Sequence, residues 1–238
     1  MKTTVLFGHI NLKSAVGAFL TVLSICAHAQ TSNELVFQNS SLESGNAGAN
    51  GAIYRFPGVN ATLDALVTIT GRSSASVTLS NIDITNEGFG KAFQPQINRG
   101  NVNGAASWWM EFEIKFVNHG TSQPANVTEA FVTGLDIDGN SNNLREWDAF
   151  YGSTSYTVEN NSLLTMTTVT GILANTNLSG RQFTGPLTTF GGIDTSATQL
   201  MTTHRYLNTN TITVRPEHPA VQTAYILCGS KILPIVHL

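Results

Sequence analysis

The segment WWMEFEIKFV, Trp108–Val117, constrains the fold more than any other part of the chain. Every second residue in it is large and apolar: Trp108, Met110, Phe112, Ile114 and Phe116. The residues between them are Trp109, Glu111, Glu113 and Lys115. A period of two places these two sets on opposite faces of a strand, whereas helical spacing would scatter the aromatic residues around a cylinder. The segment therefore predicts a β-strand with one buried and one solvated face.

Similar alternation recurs along the rest of the chain, in runs rich in Thr, Val and Ile that are separated by Gly, Asn and Ser. These runs are LVTIT after Asp64, SVTLSNIDI from Ser76, EAFVTGLDI from Glu129, SYTVE from Ser155, LLTMTTV from Leu163, TQLMTTHRYL from Thr198 and NTITVR from Asn210. No amphipathic helical pattern follows the N-terminal leader. The pattern predicts an all-β fold, an antiparallel β-sandwich or jelly roll of about ten strands.

The first 29 residues have the features of a secretory signal peptide. Lys2 and Lys13 precede an uncharged, mostly apolar run, Ser14–Ala27, and the Ala-x-Ala pattern at Ala27–Ala29 marks a cleavage site. The apolar run is shorter than the roughly 20 residues that a membrane-spanning helix needs. We therefore expect residues 1–29 to be removed, leaving a secreted or outer-surface protein without a transmembrane segment. Lipidation at Cys26 is a minor alternative, because Ile25 stands where a lipobox needs a small residue.

Charge and cysteine content exclude two classes of protein. Loss of Lys2 and Lys13 with the leader takes the formal net charge from −3 to −5, and no basic stripe is left for nucleic acid to bind. Of the two cysteines only Cys228 lies in the mature chain, so an intramolecular disulfide is impossible. Stability must come from a packed core, for which a chain of this length suffices.

An acidic segment, GLDIDGNSNNLREWDAF at 134–150, is the strongest candidate site. Strand parity predicts that Asp136 and Asp138 share a face and that Glu146 and Asp148 likewise share a face, so that the four carboxylates can meet at the mouth of a hairpin loop. The candidate metal ligands are Asp136, Asp138, Asn140, Glu146 and Asp148. Carboxylate and amide oxygens of this kind are what calcium prefers, although the spacing is not that of an EF-hand. A structural hairpin whose acids are neutralised by Arg145 remains the alternative.

Catalytic signals are weak, and we expect no catalytic residues, no enzymatic activity and no cofactor other than calcium. One alternative class is a glycan-binding or glycoside-hydrolase-like jelly roll that acts on extracellular polysaccharide. In that case Trp109, Glu111 and Glu113 should lie exposed along a groove, because paired carboxylates serve glycoside hydrolysis and aromatic rings stack on sugars. A solvated strand face and a loop-covering tryptophan are the ordinary structural explanations of the same residues.

The C-terminal segment departs from the alternating pattern. Residues 216–238 contain Pro216 and Pro219, which oppose strand continuation, and an apolar end without period-two order. We therefore assign the β-sandwich domain to residues 30–215 and treat 216–238 as a tail. Either the tail is a terminal strand pair that docks on the sandwich, or it is a truncated or non-native end.

Several segments together resemble a domain of Bacteroidetes-type secreted surface proteins. These segments are WWMEFEIKFVNHGTSQPANVT, VTGLDIDGNSNNLREW, SYTVENNSLLT and GIDTSATQLMTTHRYLNTNTITVR, together with the signal peptide. Such proteins are large, adhesin-like and often exported by the type IX route. The resemblance implies a structural or adhesive surface module whose partner is an extracellular surface or a glycan. Its recurring D-I-D-G and R-E correspond to Asp136–Gly139, Arg145 and Glu146.

Overall fold

A computed structural model describes residues 34–86, 89–99, 108–139, 145–192 and 194–217, together with the backbone of 222–223 and 225–229. All of them belong to one compact unit that spans residues 32–238. The predicted signal peptide and Asn140 lie outside the described residues. Within the described ranges the regular structure is entirely β apart from one 3-10 turn, Thr198–Leu200.

Fifteen strands occur in the described parts of the chain, a larger number than the sequence predicts. They are β1 (Ser41–Ser44), β2 (Ile53–Phe56), β3 (Leu63–Arg72), β4 (Thr78–Asn81), β5 (Gln96–Asn98), β6 (Met110–Asn118), β7 (Val127–Leu135), β8 (Trp147–Tyr151), β9 (Ser155–Thr157), β10 (Thr165–Thr170), β11 (Ser179–Thr184), β12 (Thr202–Thr209), β13 (Thr211–Glu217), β14 (Gln222–Thr223) and β15 (Tyr225–Gly229).

The strands form three antiparallel sheets. The large sheet has eight strands in the order β1-β2-β3-β6-β13-β8-β11-β10, and the small sheet has four in the order β15-β7-β12-β9. A three-stranded sheet, β14-β5-β4, completes the fold. All described pairings are antiparallel. The predicted all-β, antiparallel fold class is therefore confirmed.

One hydrophobic core is shared by the large and small sheets. Phe112 and Phe150 of the large sheet belong to the same buried cluster as Val132 and Tyr206 of the small sheet. The apolar set predicted for β6 is buried throughout, with exposed fractions of 0–2%. Burial of alternate residues from two facing sheets is the packing of a β-sandwich. The period-two prediction for the inner face of β6 is confirmed.

The chain beyond Arg215 continues the sheets. β13 runs through Pro216, which pairs with Asp148 on β8, whereas its pairing with β6 ends at Val214. A proline is tolerated there because the strand has only one hydrogen-bonded neighbour at that point. Farther on, β14 pairs with β5 and β15 pairs with β7. The expectation that Pro216 ends the strand is wrong.

Candidate functional site

The acidic segment connects the two sheets of the sandwich. β7 ends at Leu135 in the small sheet and β8 begins at Trp147 in the large sheet, so the intervening residues cross between sheets. One antiparallel bridge, between Gly139 and Arg145, closes the base of the loop. The Glu146 amide also donates to the Asp138 carbonyl at 2.9 Å. The loop is closed as in a hairpin, but its two arms continue into different sheets.

The prediction of a shared face assumes regular strand geometry, and that geometry ends before Asp136. The Asp136 φ of 58° lies in the left-handed region, which short polar residues such as Asp tolerate. β7 stops one residue earlier, at Leu135. Ile137 and Asp138 are adjacent and both buried, so alternation between a buried and a solvated face has ended. Strand parity therefore does not bring Asp136 and Asp138 to one face.

The other candidate acids are buried and have local neighbours. Asp138, Glu146 and Asp148 are 2–3% exposed. The Phe190 amide donates to Asp138 Oδ2 at 2.5 Å. Asp148 lies on the inner side of the large sheet, and its Oδ2 would be 3.1 Å from a Cβ placed on Gly134 of the small sheet. A glycine at 134 thus makes room for the Asp148 carboxylate between the sheets.

These carboxylates do not assemble into a recognisable metal centre. Within the described ranges, no group of three or more His, Cys, Asp or Glu side chains is placed to hold a metal ion. Calcium takes six to eight oxygen ligands at about 2.3–2.6 Å, and this set would have to include Asn140, which lies outside the described residues. The buried acids alone therefore do not supply the ligand set, and calcium binding stays a prediction.

Two glycines beside the loop are needed for close backbone contact. A Cβ on Gly139 would lie 2.4 Å from the Pro186 carbonyl oxygen, and a Cβ on Gly185 would lie 2.4 Å from the Ile137 carbonyl oxygen. The Thr189 hydroxyl also donates to the Gly139 carbonyl at 2.7 Å. Gly139 is one of the turn-forming residue types of the acidic segment. In the structure it lets the loop pack directly against the chain after β11.

The outer face of β6 is not an open, acid-lined groove. Glu111 is fully buried, and its Oε1 accepts hydrogen bonds from the Thr70 hydroxyl at 2.7 Å and the Leu173 amide at 3.1 Å. Its Oε2 is paired with Arg215 through Nε at 3.2 Å and through Nη2 at 2.5 Å. All of these donors hold the Glu111 carboxylate in place inside the fold, so its role is structural.

Trp109 takes part in the same buried arrangement. The Arg215 guanidinium lies 4.1 Å from the Trp109 ring centroid and 5.1 Å from that of Tyr151, within cation–π distance of both. Trp109 packs against a cluster that contains Trp147 and Ile172. It therefore covers a neighbouring loop rather than presenting an open sugar-stacking platform. The groove predicted for Trp109, Glu111 and Glu113 does not form.

A recess on the outer face of the small sheet is one candidate binding surface. It has a volume of about 300 Å³ and is lined by residues of β7, β9 and β12: Glu129, Phe131, Ser155, Thr157, Thr203 and Arg205. Arg205 Nε donates to Glu129 Oε1 at 2.6 Å, and this ion pair is exposed to solvent. Phe131 is half-buried beside it. The recess thus combines an aromatic face, a charged pair and hydroxyl groups.

His204 lies on the inner side of the small sheet and forms a buried polar cluster. Its ring stacks on Phe150 with centroids 4.1 Å apart. The Ser153 hydroxyl lies 3.1 Å from Nδ1, and the Thr202 hydroxyl lies 3.3 Å from Nε2. Arg181 Nη1 donates to the Ser153 hydroxyl at 3.0 Å, which leaves the Ser153 proton free to be donated to Nδ1. Each ring nitrogen of His204 thus has a hydroxyl partner.

This Ser–His contact is not a nucleophile–base pair for neutral pH. Burial, and to a lesser extent the charge of Arg181, lower the pKa of His204 to about 3. A general base works best when its pKa lies near the operating pH. His204 is also fully buried, beyond the reach of a substrate. We therefore assign it a structural role.

Two buried aspartates that the sequence did not single out have strongly shifted pKa values. Asp64 accepts hydrogen bonds from Arg55, Gly58, His119 and Gly120 at 2.7–3.0 Å. Burial raises its pKa, but these four donors together outweigh burial and bring the pKa to about 2. They come from β2, the turn after it and the turn after β6, so a motif search along the sequence would not have found them.

Asp83 is the opposite case. Burial raises its pKa to about 7, and the single amide bond from Gln94, at 2.8 Å, only partly offsets this shift. A carboxyl group with one donor and little access to water favours its neutral form. Asp83 is therefore a proton-binding group near neutral pH.

Comparison with known proteins supplies no assignment. No family model matches the chain, and no significantly similar curated protein or solved structure was found. Over the described residues, no helix has the length and apolar character needed to cross a membrane.

Proposed function

We propose that this chain is a secreted structural or adhesive module of the cell surface that binds through the outer face of its small sheet. The observation that carries the proposal is the recess of about 300 Å³ bounded by Phe131 and by the Arg205–Glu129 pair. Binding surfaces commonly combine an aromatic contact with a few polar groups that fix orientation. The predicted signal peptide and the resemblance to adhesin-like surface proteins support a location of this surface outside the cell.

A glycan is the ligand class that the chemistry of the recess favours. The Phe131 ring offers an apolar face for the C–H groups of a sugar ring. Arg205 and Glu129 offer a planar donor and a planar acceptor beside it, and the hydroxyls of Ser155 and Thr157 lie at the rim. Glycan binding is therefore our second candidate function, at a different place from the β6 face that the sequence suggested. Hydrolysis is not proposed at Glu111, because that carboxylate is buried and bound to Arg215.

Solid-phase binding of the full secreted chain to extracellular polysaccharides and to intact bacterial surfaces tests the proposal. Phe131→Ala and Arg205→Ala should each reduce binding at least tenfold while the fold is retained, because the Arg205–Glu129 pair is exposed and contributes little to stability. Leu187→Ala, which removes an exposed apolar side chain elsewhere, should bind normally. Equal binding by all four proteins would refute the role of the recess. Release of reducing sugar would instead favour an enzyme.

Calcium stabilisation through the acidic segment is a separate part of the proposal. It rests on the composition of 134–150 and on the burial of Asp138, Glu146 and Asp148. A ligand that binds only the native state raises the melting temperature by mass action. The melting midpoint should therefore drop by several degrees when calcium is chelated, and Asp138→Asn should be insensitive to calcium. Superimposable curves with calcium and with chelator would reduce the segment to a structural connection between the sheets.

A further inference from the structure

One edge of the large sheet is a full strand with a free side. β10 pairs with β11 alone, in an unbroken register of six residue pairs from Thr165–Thr184 to Thr170–Ser179. In an antiparallel strand, about half of the backbone N–H and C=O groups point away from the one neighbour. Among the described residues no further strand meets these groups. An extended backbone is the partner that satisfies such a row of donors and acceptors.

β10 also lacks the features that normally protect a sheet edge. Its sequence, TMTTVT, contains no charge and no proline, and five of its six residues are exposed. The opposite edge of the large sheet, β1, has only four residues, a register shift and the charged Glu43. In the small sheet the two edge strands β9 and β15 have three and five residues, and in the third sheet the edge strand β14 has two residues while β4 is interrupted by a register shift. Short length, bulges and charges are the usual protection against edge pairing.

We propose that β10 is a self-association strand that pairs antiparallel with β10 of a second copy of this chain. Such a dimer has a two-fold axis perpendicular to the sheet, so one surface serves both copies. Every register of this pairing places Thr, Val or Met opposite Thr, Val or Met, and no like charges meet. Because β10 carries no charge, it would form no ion pairs with a charged peptide. Its β-branched residues, however, suit cross-strand packing with an identical strand.

Exposed apolar side chains beside the β10 edge also favour a second copy of this chain as the partner. Leu163 is 45% exposed and Met166 is 40% exposed. They are two of the six large apolar side chains that are exposed in the described part of the chain. A second β10 laid along the edge covers part of this apolar surface in both copies. The pairing thus joins two large sheets into one continuous sheet.

Sedimentation velocity of the full secreted chain, over roughly 1–300 μM, tests the proposal. We expect a reversible monomer–dimer equilibrium, and Thr168→Lys, which places two lysines close together across the paired edges, should weaken it at least tenfold. Thr195→Lys makes the same substitution at an exposed turn residue and should dimerise like the parent. Circular dichroism of both variants shows whether the fold is retained.

Hydrogen exchange measured at low and high concentration locates the interface. Dimerisation through β10 should slow exchange at alternate amides of Thr165–Thr170 and leave the recess residues of β9 unchanged. A chain that stays monomeric at the highest concentration overturns the proposal. A dimer that leaves β10 amides unprotected, or that Thr168→Lys does not weaken, overturns it as well. None of these outcomes depends on a glycan, so they are distinguishable from failure of the proposed binding function.

Discussion

The pKa values of His204 and Asp83 are shifted in opposite directions. Acidification should therefore change the free energy of unfolding of the wild-type protein little, and that of variants lacking one of the two groups strongly. The pKa of His204 is lowered from 6.5 to about 3, so below pH 6.5 the unfolded chain binds a proton that the folded chain does not. Stability contributed by neutral His204 is therefore lost progressively as the pH falls from 6.5 towards 3. The pKa of Asp83 is raised from 3.8 to about 7, so the folded chain binds the extra proton between these values and gains stability.

The magnitudes follow from the linkage between proton binding and unfolding, at about 1.36 kcal/mol per pH unit. From about pH 7.5 to pH 5, the stability contributed by neutral His204 falls by about 2 kcal/mol, because only the 1.5 pH units below its ordinary pKa count. Over the same interval the stability contributed by protonated Asp83 rises by about 2.5 kcal/mol. The two contributions nearly cancel in the wild-type protein. Its free energy of unfolding should change by less than about 1 kcal/mol.

Urea unfolding at the two pH values separates the two groups. His204→Gln should gain about 2.5 kcal/mol on acidification, because only Asp83 still responds, and Asp83→Asn should lose about 2 kcal/mol. The double variant should again show little change, and it serves as the control for the remaining carboxylates. If His204→Gln and the wild-type protein respond identically to pH, then His204 does not stay neutral in the folded state, and the reasoning from its burial fails.

Three further substitutions test contacts of the fold. Asp64→Ala removes the acceptor of four hydrogen bonds and should cost about 3 kcal/mol in the free energy of unfolding, measured in urea. Arg215→Met leaves Glu111 buried without its cation and should cost about 3–5 kcal/mol, and adding Glu111→Gln should recover more than half of the loss. Gly139→Ala places a Cβ 2.4 Å from the Pro186 carbonyl oxygen and should lower stability by about 1–3 kcal/mol, seen as a lower melting temperature.

The inner face of the sandwich was predictable because burial leaves a period in the sequence. The alternate residues from Trp108 to Phe116 are buried as expected, since a strand with one face on a core must place apolar residues at every second position. The same period does not tell whether the other face is solvated or covered. Glu111 is covered by chain near Leu173 and paired with Arg215, 104 residues away in sequence. Contacts at that separation carry no local signal.

The acidic segment shows where strand parity stops being informative. Alternation in EAFVTGLDI continues through Asp136 in the sequence, but the strand ends at Leu135 and Asp136 adopts a left-handed φ of 58°. The turn-forming residues Asp, Gly and Asn indicated a loop correctly. They carried no information on which sheet each arm joins. That choice depends on packing between sheets, including the space that Gly134 leaves for Asp148.

Seven of the described acidic side chains are buried, and this bears on where a ligand can bind. Asp64 and Glu111 are buried and held by donors, so neither offers a free charge to a partner. The Arg205–Glu129 pair, by contrast, is exposed beside a half-buried aromatic ring on the small sheet. β10 belongs to the large sheet, so pairing of two copies through it leaves both recesses open. A dimer with two recesses binds a repetitive surface with an effective concentration that a monomer lacks. For an adhesive module, each recess can then be weak while attachment of the pair is strong.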